Sequence, residues 1–387
     1  MVEKENNVNE ELLTEKVLTR RPLSDPIKSF FKKRSTQSKI LFTQKIPLAK
    51  SELKSWVKSF RGGIILLALF LVTLIPMLMN SIVFYHVFIV AMVYAIYGAS
   101  WDLLSGVTGQ VSFGHAAYFG LGGYMCAAFV TYLGFHWLPS IIIGGILGVL
   151  FGLIVAIPSL RLKGPYLALG SLAFSLLIWR LFQMESLRFL FFGSEGIRNI
   201  PFFETVSLAE KLLLEFIIAL VFMIICIVAM LIIYNSKLGT VFKGIRDDEY
   251  ATEAAGINVT KYKLFSFCIS AFFAGIAGSL YALHRGNIKP DIFMSLYSFY
   301  PIIMVVVGGI STISGAAFGA YFFYVLNEII TQVCAELLPS DLQLIFSNIA
   351  TLLFAIILLV VVRFTERGLM EPTIKRSKTL WDLIKGK

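Results

Sequence analysis

Charge is scarce in this sequence. Only 15% of its 387 residues are charged, while 57% are hydrophobic; a soluble domain carries about 25% charged residues. That balance excludes a disordered chain, a fibre and a water-soluble enzyme core, and makes a polytopic membrane protein the first expectation. Cysteine is scarce too. Cys126, Cys226, Cys268 and Cys334 stand singly in or beside apolar runs, without metal or redox spacing, and read as small buried hydrophobes. Four scattered histidines (His86, His115, His136, His284) do not make a zinc site. A Gly-x-x-x-x-Gly-Lys-[Ser/Thr] run is absent, so nothing here cradles ATP phosphates. No secretory leader is expected, because the first apolar run begins near Gly63 and no small-residue cleavage site follows it.

What charge there is sits at the ends. Residues 1–62 hold 14 of the 34 Lys and Arg, and the tail from Arg363 to Lys387 holds 7 more. Basic flanks beside apolar spans place both termini in the cytoplasm, against anionic membrane lipid. No recognition motif accompanies the charge, so nucleic acid is not an expected partner. Three regions follow: a basic extension over 1–62, a membrane region over 63–365 and a basic tail over 366–387.

About twenty apolar residues cross the hydrocarbon core as a helix. Such runs fall near 63–80, 82–104, 115–133, 138–157, 165–184, 211–234, 261–283, 296–310, 316–333 and 342–362. The predicted fold is all-α, with about ten transmembrane helices, an even number that returns the chain to the side it left. The polar stretch 235–260 is then cytoplasmic and the loop 185–210 external. Trp56, Trp101, Trp137, Trp179 and Trp381 lie near span ends or in the tails and read mostly as interfacial anchors.

Two uncharged junctions interrupt this pattern: Ser-Gly-Val-Thr-Gly-Gln-Val-Ser-Phe-Gly over 105–114 and Gly-Gly-Ile-Ser-Thr-Ile-Ser-Gly over 308–315. Each precedes a helix rich in small residues, Gly120, Gly122 and Gly123 in one case, Ala316, Ala317 and Gly319 in the other. Two readings stand. Paired Gly-broken segments mark discontinuous helices around a transport path, or they are tight turns that let small residues pack closely. In the first reading Gly109, Gln110, Ser112, Phe113, Gly114, His115, Gly308, Gly309, Ser311 and Gly315 line the substrate pathway.

Within 235–260, Asp247 is placed to cap a short helix over 248–255, with Asp248 and Glu249 suiting its positive end and Gly256 stopping it. Ala251, Ala254 and Ala255 would give that helix a smooth face for close approach. It is either a cross-bar docked on a soluble partner or a solvated connector.

The run from Gly244 through Arg246, Asp247, Asp248, Glu249, Glu253, Ala254 and Gly256 to Phe267, continued by Ser-Ala-Phe-Phe-Ala-Gly-Ile-Ala-Gly from Ser270, resembles the permeases of branched-chain amino acid ABC importers, most closely the LivM type. The segment from Gly109 to Tyr124 and the run Gly308–Gly315 match the same family, and the resemblance covers about 83–365. It implies an ABC importer permease fold, with residues 244–256 as the coupling loop on an ATP-hydrolysing subunit. It implies no catalysis and no cofactor in this chain, since the partner uses the ATP. The implied partners are a LivH-like second permease subunit, two ATP-binding cassette ATPases and an extracytoplasmic solute-binding protein, in a bacterial cytoplasmic (inner) membrane. A zwitterion's carboxylate would meet a helix N-terminus at one of the breaks. Urea or short-chain amide permeases of the same group, an ion-coupled secondary transporter and a non-pumping channel remain as alternatives.

Among lone polar residues, His115 reads first as a hydrogen-bonded packing residue, and Asp102 equally as a functional acid or a local helix support. Arg180 reads as snorkelling, and Asn327 and Glu328 as interhelical hydrogen-bonding groups.

Overall fold

A computed structural model describes residues 82–159, 162, 164–191, 193–203 and 207–337. The extension 1–62, the tail and the apolar runs at 63–80 and 342–362 lie outside the described residues.

Helix α1 (Ile82–Trp101) passes directly into a π-helical turn, Asp102–Val107. An irregular segment leads to α2 (His115–Thr131), then α3 (Trp137–Ser159) and α4 (Pro165–Gln183), which has proline at its first helical position. A short α5 (Arg188–Phe191) and a two-residue strand β1 (Ile197–Arg198) follow. Helix α6 (Leu208–Asn235) opens with a capping box between Ser207 and Glu210. Two short helices, α7 (Lys237–Asp247) and α8 (Glu249–Ala254), come next. Helix α9 (Val259–Arg285) is capped by Asn258 and ends on Gly286, whose φ of 65° suits a left-handed stop. Strand β2 (Asn287–Ile288) pairs antiparallel with β1 and ties the intervening loop to that end of α9. Helices α10 (Ser295–Gly308) and α11 (Ile313–Leu337) complete the described chain.

Helix α1 is apolar on every side and buried on nearly every side, from Val87 through Trp101, so it is the axis of the bundle. It packs on α11, α6 and α9, while α9 lies along α2 and α3. The close α2–α9 crossing explains the small residues there. A methyl on Gly122 would overlap the Gly275 backbone, and one on Gly123 would come within 2.8 Å of the Gly278 carbonyl. Helices α3, α4 and α6 instead keep an outer apolar face. On α3, Ile142, Ile146, Leu150, Ile154 and Ile157 are exposed at helical spacing, which suits lipid or a neighbouring subunit.

Five helices among the described residues are long and apolar enough to cross a membrane, and a sixth crossing counts if α10 and α11 form one span. These two are bent by 110° at residues 309–312. Helix α10, at 14 residues, extends only about 21 Å, short of the roughly 30 Å hydrocarbon core. The chain is thus an all-α polytopic membrane protein, and the runs at 296–310 and 316–333 are a broken pair rather than two plain crossings.

Candidate functional site

The first break is held by serines. After the π turn, the Thr108 hydroxyl donates to the Leu103 carbonyl at 3.0 Å and Gly109 turns the chain with φ 75°. Ser105 Oγ donates to the Gln110 carbonyl at 3.1 Å and accepts from the Ser112 amide at 3.2 Å. The Phe113 amide donates to Ser171 Oγ of α4 at 3.0 Å, and the Gly114 amide to Ser112 Oγ at 3.4 Å. Trp101 Nε1 donates to the Ser112 carbonyl at 2.7 Å. Buried backbone outside a helix needs other hydrogen-bond partners, and these hydroxyls supply them. Trp101, read from the sequence as an interfacial anchor, is instead a buried clamp on the break. Gly114 is required by proximity, since a methyl there would overlap the Ser171 carbonyl.

His115 opens α2 and is fully buried. Ser100 Oγ donates to the Tyr97 carbonyl at 2.7 Å and pairs with His115 Nε2 at 3.0 Å, so His115 carries its proton on Nε2. The ring stacks on Tyr97 with centroids 5.3 Å apart. This is the hydrogen-bonded packing role expected first.

The second break turns on Gly309, at φ 122°, and Ser311, at φ 64°. Gly308 faces Gly315, whose carbonyl a methyl on Gly308 would overlap, so the two arms of the break touch backbone to backbone. Thr312 Oγ1 donates to the Gly309 carbonyl at 2.6 Å.

The two breaks meet. The Ser311 amide donates to Asp102 Oδ1 at 2.6 Å, placing a buried carboxylate from the start of the π turn at the N-terminal end of α11, where the helix dipole favours negative charge. Arg246, in the last turn of α7, joins both. Its Nη1 donates to the Gly106 carbonyl at 3.3 Å and to Ser311 Oγ at 2.6 Å, while Nε and Nη2 donate to Asp247 Oδ1 at 2.9 and 2.8 Å. Gly109 rests on the same side chain: a methyl there would sit 3.0 Å from Arg246 Cγ. One guanidinium thus connects the polar segment 235–260 to both broken segments.

The polar segment itself is two helices rather than one. Asp248, not Asp247, caps α8, its carboxylate accepting from the Ala251 amide at 3.0 Å. Asp247 ends α7 and is engaged by Arg246, which leaves the cap to its neighbour. Phe242 and Ile245 bury the inner face of α7. Lys243 Nζ donates to the Tyr234 carbonyl at 3.3 Å and lies over the Tyr234 ring at 3.5 Å. Burial, and then the nearby Arg246 charge, hold its ammonium below the usual lysine range. Helix α8 is fastened to α9 by Glu249, which accepts from Lys263 Nζ at 2.7 Å. Its other face is open: Tyr250, Ala251, Glu253 and Ala254 are exposed, and Gly256, at φ 81°, carries the chain away. A cleft of about 720 Å³ lies between α7–α8, the first break and the start of α4, with Gln110, Phe113, Pro165, Arg246 and Glu249 among its walls.

The structure therefore brings Gly109 and Ser311 of the expected pathway against Arg246 of the expected coupling segment, which also holds Asp247. Glu253, Ala254 and Gly256 lie apart on the open side. The amides of Phe113, Gly114 and Ala116, where a substrate carboxylate was expected, are taken in this conformation by Ser171, Ser112 and Ser298. Sequence reading missed Gly106, Ser171 and Ser298, whose partners are remote in sequence. Among the described residues no group of three His, Cys, Asp or Glu side chains converges on a metal-sized site.

The bundle thus has one sharply bent helix pair, α10–α11, and one irregular segment after the π turn, and an amphipathic cross-bar with an open face touches both. The family model described as "Branched-chain amino acid transport system / permease component" matches residues 83–363, and the chain belongs to that family. It is 24% identical over 319 residues to the high-affinity branched-chain amino acid transport system permease protein LivM of Salmonella typhimurium, covering 76% of this chain and 72% of that one. A probable LivM of Methanocaldococcus jannaschii is 26% identical over 239 residues, covering 60% and 67%. A probable LivH from the same organism is 24% identical over 195 residues, covering 50% and 56%. No solved structure matches the chain.

Proposed function

We propose that this chain is a permease subunit of an ATP-binding cassette importer that carries branched-chain amino acids across a bacterial cytoplasmic membrane. It works with a LivH-like second permease, two ATPase subunits and an extracytoplasmic solute-binding protein. The single observation that carries the mechanism is the reach of Arg246 from α7 to Gly106 and Ser311. The ATPase grips the exposed face of α8, with both chain termini on the same, cytoplasmic, side. Closure of the ATPases displaces α8 and α7 together, and Arg246 passes that displacement to both breaks at once. The bend at 309–312 and the π turn are the places where α10–α11 and α1 can yield, since each lacks a continuous ladder of i to i−4 bonds.

Neutralising Arg246 tests this. In Arg246→Met the complex is expected to assemble and hydrolyse ATP while leucine uptake falls; Arg246→Lys keeps the charge but not the fork, and should recover part of it. Wild-type uptake per ATP in Arg246→Met would remove the mechanism. Urea and short-chain amides enter the same assay as competitors, and leucine uptake that ignores both favours the amino-acid reading.

A further inference from the structure

A second polar constellation lies at the other end of the bundle. His86, in the second turn of α1, stands sixteen residues before Asp102, about 24 Å along the helix. His284 is in the last turn of α9. These two of the four histidines, scattered in the sequence, meet in the fold: His86 Nδ1 lies 3.1 Å from His284 Nε2. Behind them, His284 Nδ1 lies 2.7 Å from Oε2 of Glu215 on α6, and Lys211 Nζ lies 3.9 Å from Oε1 of the same carboxylate. The Glu215 and His284 side chains are 2% and 4% exposed, whereas His86 is exposed. The short contact to a carboxylate puts the His284 proton on Nδ1 and leaves Nε2 with a lone pair. His86 either donates its Nδ1–H to that lone pair or, with its proton on Nε2, sets a second lone pair beside it. A carboxylate behind a histidine is the arrangement that orients an imidazole as a metal ligand and raises its basicity.

The spacing suits a shared ion. With each nitrogen about 2.0–2.1 Å from a metal, a separation of 3.1 Å subtends an angle of about 100° at the ion, between the square-planar and tetrahedral values. The ring planes meet at 52° with centroids 4.9 Å apart, closer than two rings aimed straight at each other would stand at that nitrogen separation. A cavity of about 210 Å³ is bordered by both rings and has room for waters to complete a coordination shell. Arg285 and Glu328, of opposite charge, also border it. The Arg285 guanidinium carbon lies 5.6 Å from the Tyr281 ring centroid, and Glu328 is held by contacts of its own, so neither belongs to the donor set. That set is two imidazoles and water.

We infer that His86 and His284 form a two-histidine site for a divalent transition-metal ion that prefers imidazole, the class of Zn²⁺, Ni²⁺ and Cu²⁺, with Glu215 as the positioning residue behind His284. A bound ion ties the start of α1 to the end of α9, at the end of the bundle away from Arg246. The inference is independent of which solute the chain carries.

The test uses the full chain, purified without a histidine tag and titrated with Zn²⁺, Cu²⁺ and Mg²⁺. One Zn²⁺ or Cu²⁺ per chain is expected and no Mg²⁺, with nitrogen ligation in the electron paramagnetic resonance spectrum of the Cu²⁺ form. Zn²⁺ should raise the thermal unfolding midpoint of the wild type, because an ion held only by the folded state stabilises it. His86→Ala and His284→Ala should each abolish the bound ion and the rise in midpoint. Glu215→Gln should keep the one-ion stoichiometry and weaken affinity about 10-fold to 100-fold, a readout that a merely structural role would not move. The chain has two other histidines, of which His115 is buried and His136 exposed, so His136→Ala is the control and should bind as the wild type does. If His284→Ala or Glu215→Gln does not fold, His86→Ala decides, since that position is exposed. A wild type that binds none of these ions, binding that persists unchanged in His86→Ala, or binding lost in His136→Ala would overturn the site.

Discussion

Asp102 and Arg246 are far apart in the sequence and share Ser311: the carboxylate takes its amide and the guanidinium its hydroxyl. Their removal should therefore have different signatures. Asp102→Ala leaves a buried amide without an acceptor, a loss of about 1–3 kcal/mol, and should lower the thermal unfolding midpoint of the purified complex as well as uptake. Asp102→Asn keeps an acceptor oxygen and should recover much of the stability; equal midpoints for the alanine and asparagine variants would contradict the pairing. The Arg246 side chain is 35% exposed, so water compensates part of its loss. Arg246→Met should cost transport far more than stability, by no more than about 1–2 kcal/mol in unfolding free energy.

At the scale of elements, the turn after α8 and the two breaks make opposite predictions for glycine. A methyl on Gly256 meets nothing within 4 Å, and only its φ of 81° resists a side chain. Gly256→Val should strain the turn by about 1–2 kcal/mol and reduce ATPase co-purification with little change in the membrane bundle; Gly256→Asn should be nearly silent. Gly114→Ala and Gly308→Ala instead force backbone against backbone, at Ser171 and Gly315 respectively. Those variants should lower the yield of folded protein even without any partner, measured by size-exclusion recovery of the chain alone. The same elements show what was legible in the sequence. Glycine and serine without charge in an apolar setting announced both breaks, because such a segment has no use for water. The cap of α8 was misplaced by one residue because Asp247 and Asp248 are equally good caps by composition, and it is Asp247 that the adjacent Arg246 engages. The linkage of Glu215, His284 and His86 was not legible at all. Each residue sits alone in its own apolar run, and the partners are 69 and 198 residues apart.

For the molecule as a whole, the question is where the energy enters. Each tenfold concentration ratio costs about 1.4 kcal/mol of transported solute, so a hundredfold gradient needs about 2.8 kcal/mol per molecule from some source. The sequence carries no phosphate-binding loop, and at the breaks Asp102 Oδ1 and Arg246 are joined through Ser311, the one to its amide and the other to its hydroxyl. Among the described residues, α8 leaves Tyr250, Ala251, Glu253 and Ala254 exposed on the polar segment, the face on which the proposed ATPase contact would fall. It follows that this chain reconstituted alone should not concentrate leucine against a gradient, with or without ATP or a proton gradient. The complete assembly should do so with ATP on the ATPase side, and should continue when an uncoupler collapses the proton gradient. Accumulation that survives ATP depletion but stops with the uncoupler would instead assign the work to an ion, and the Arg246 linkage would then be a static brace between two broken helices rather than the route by which a motor moves them.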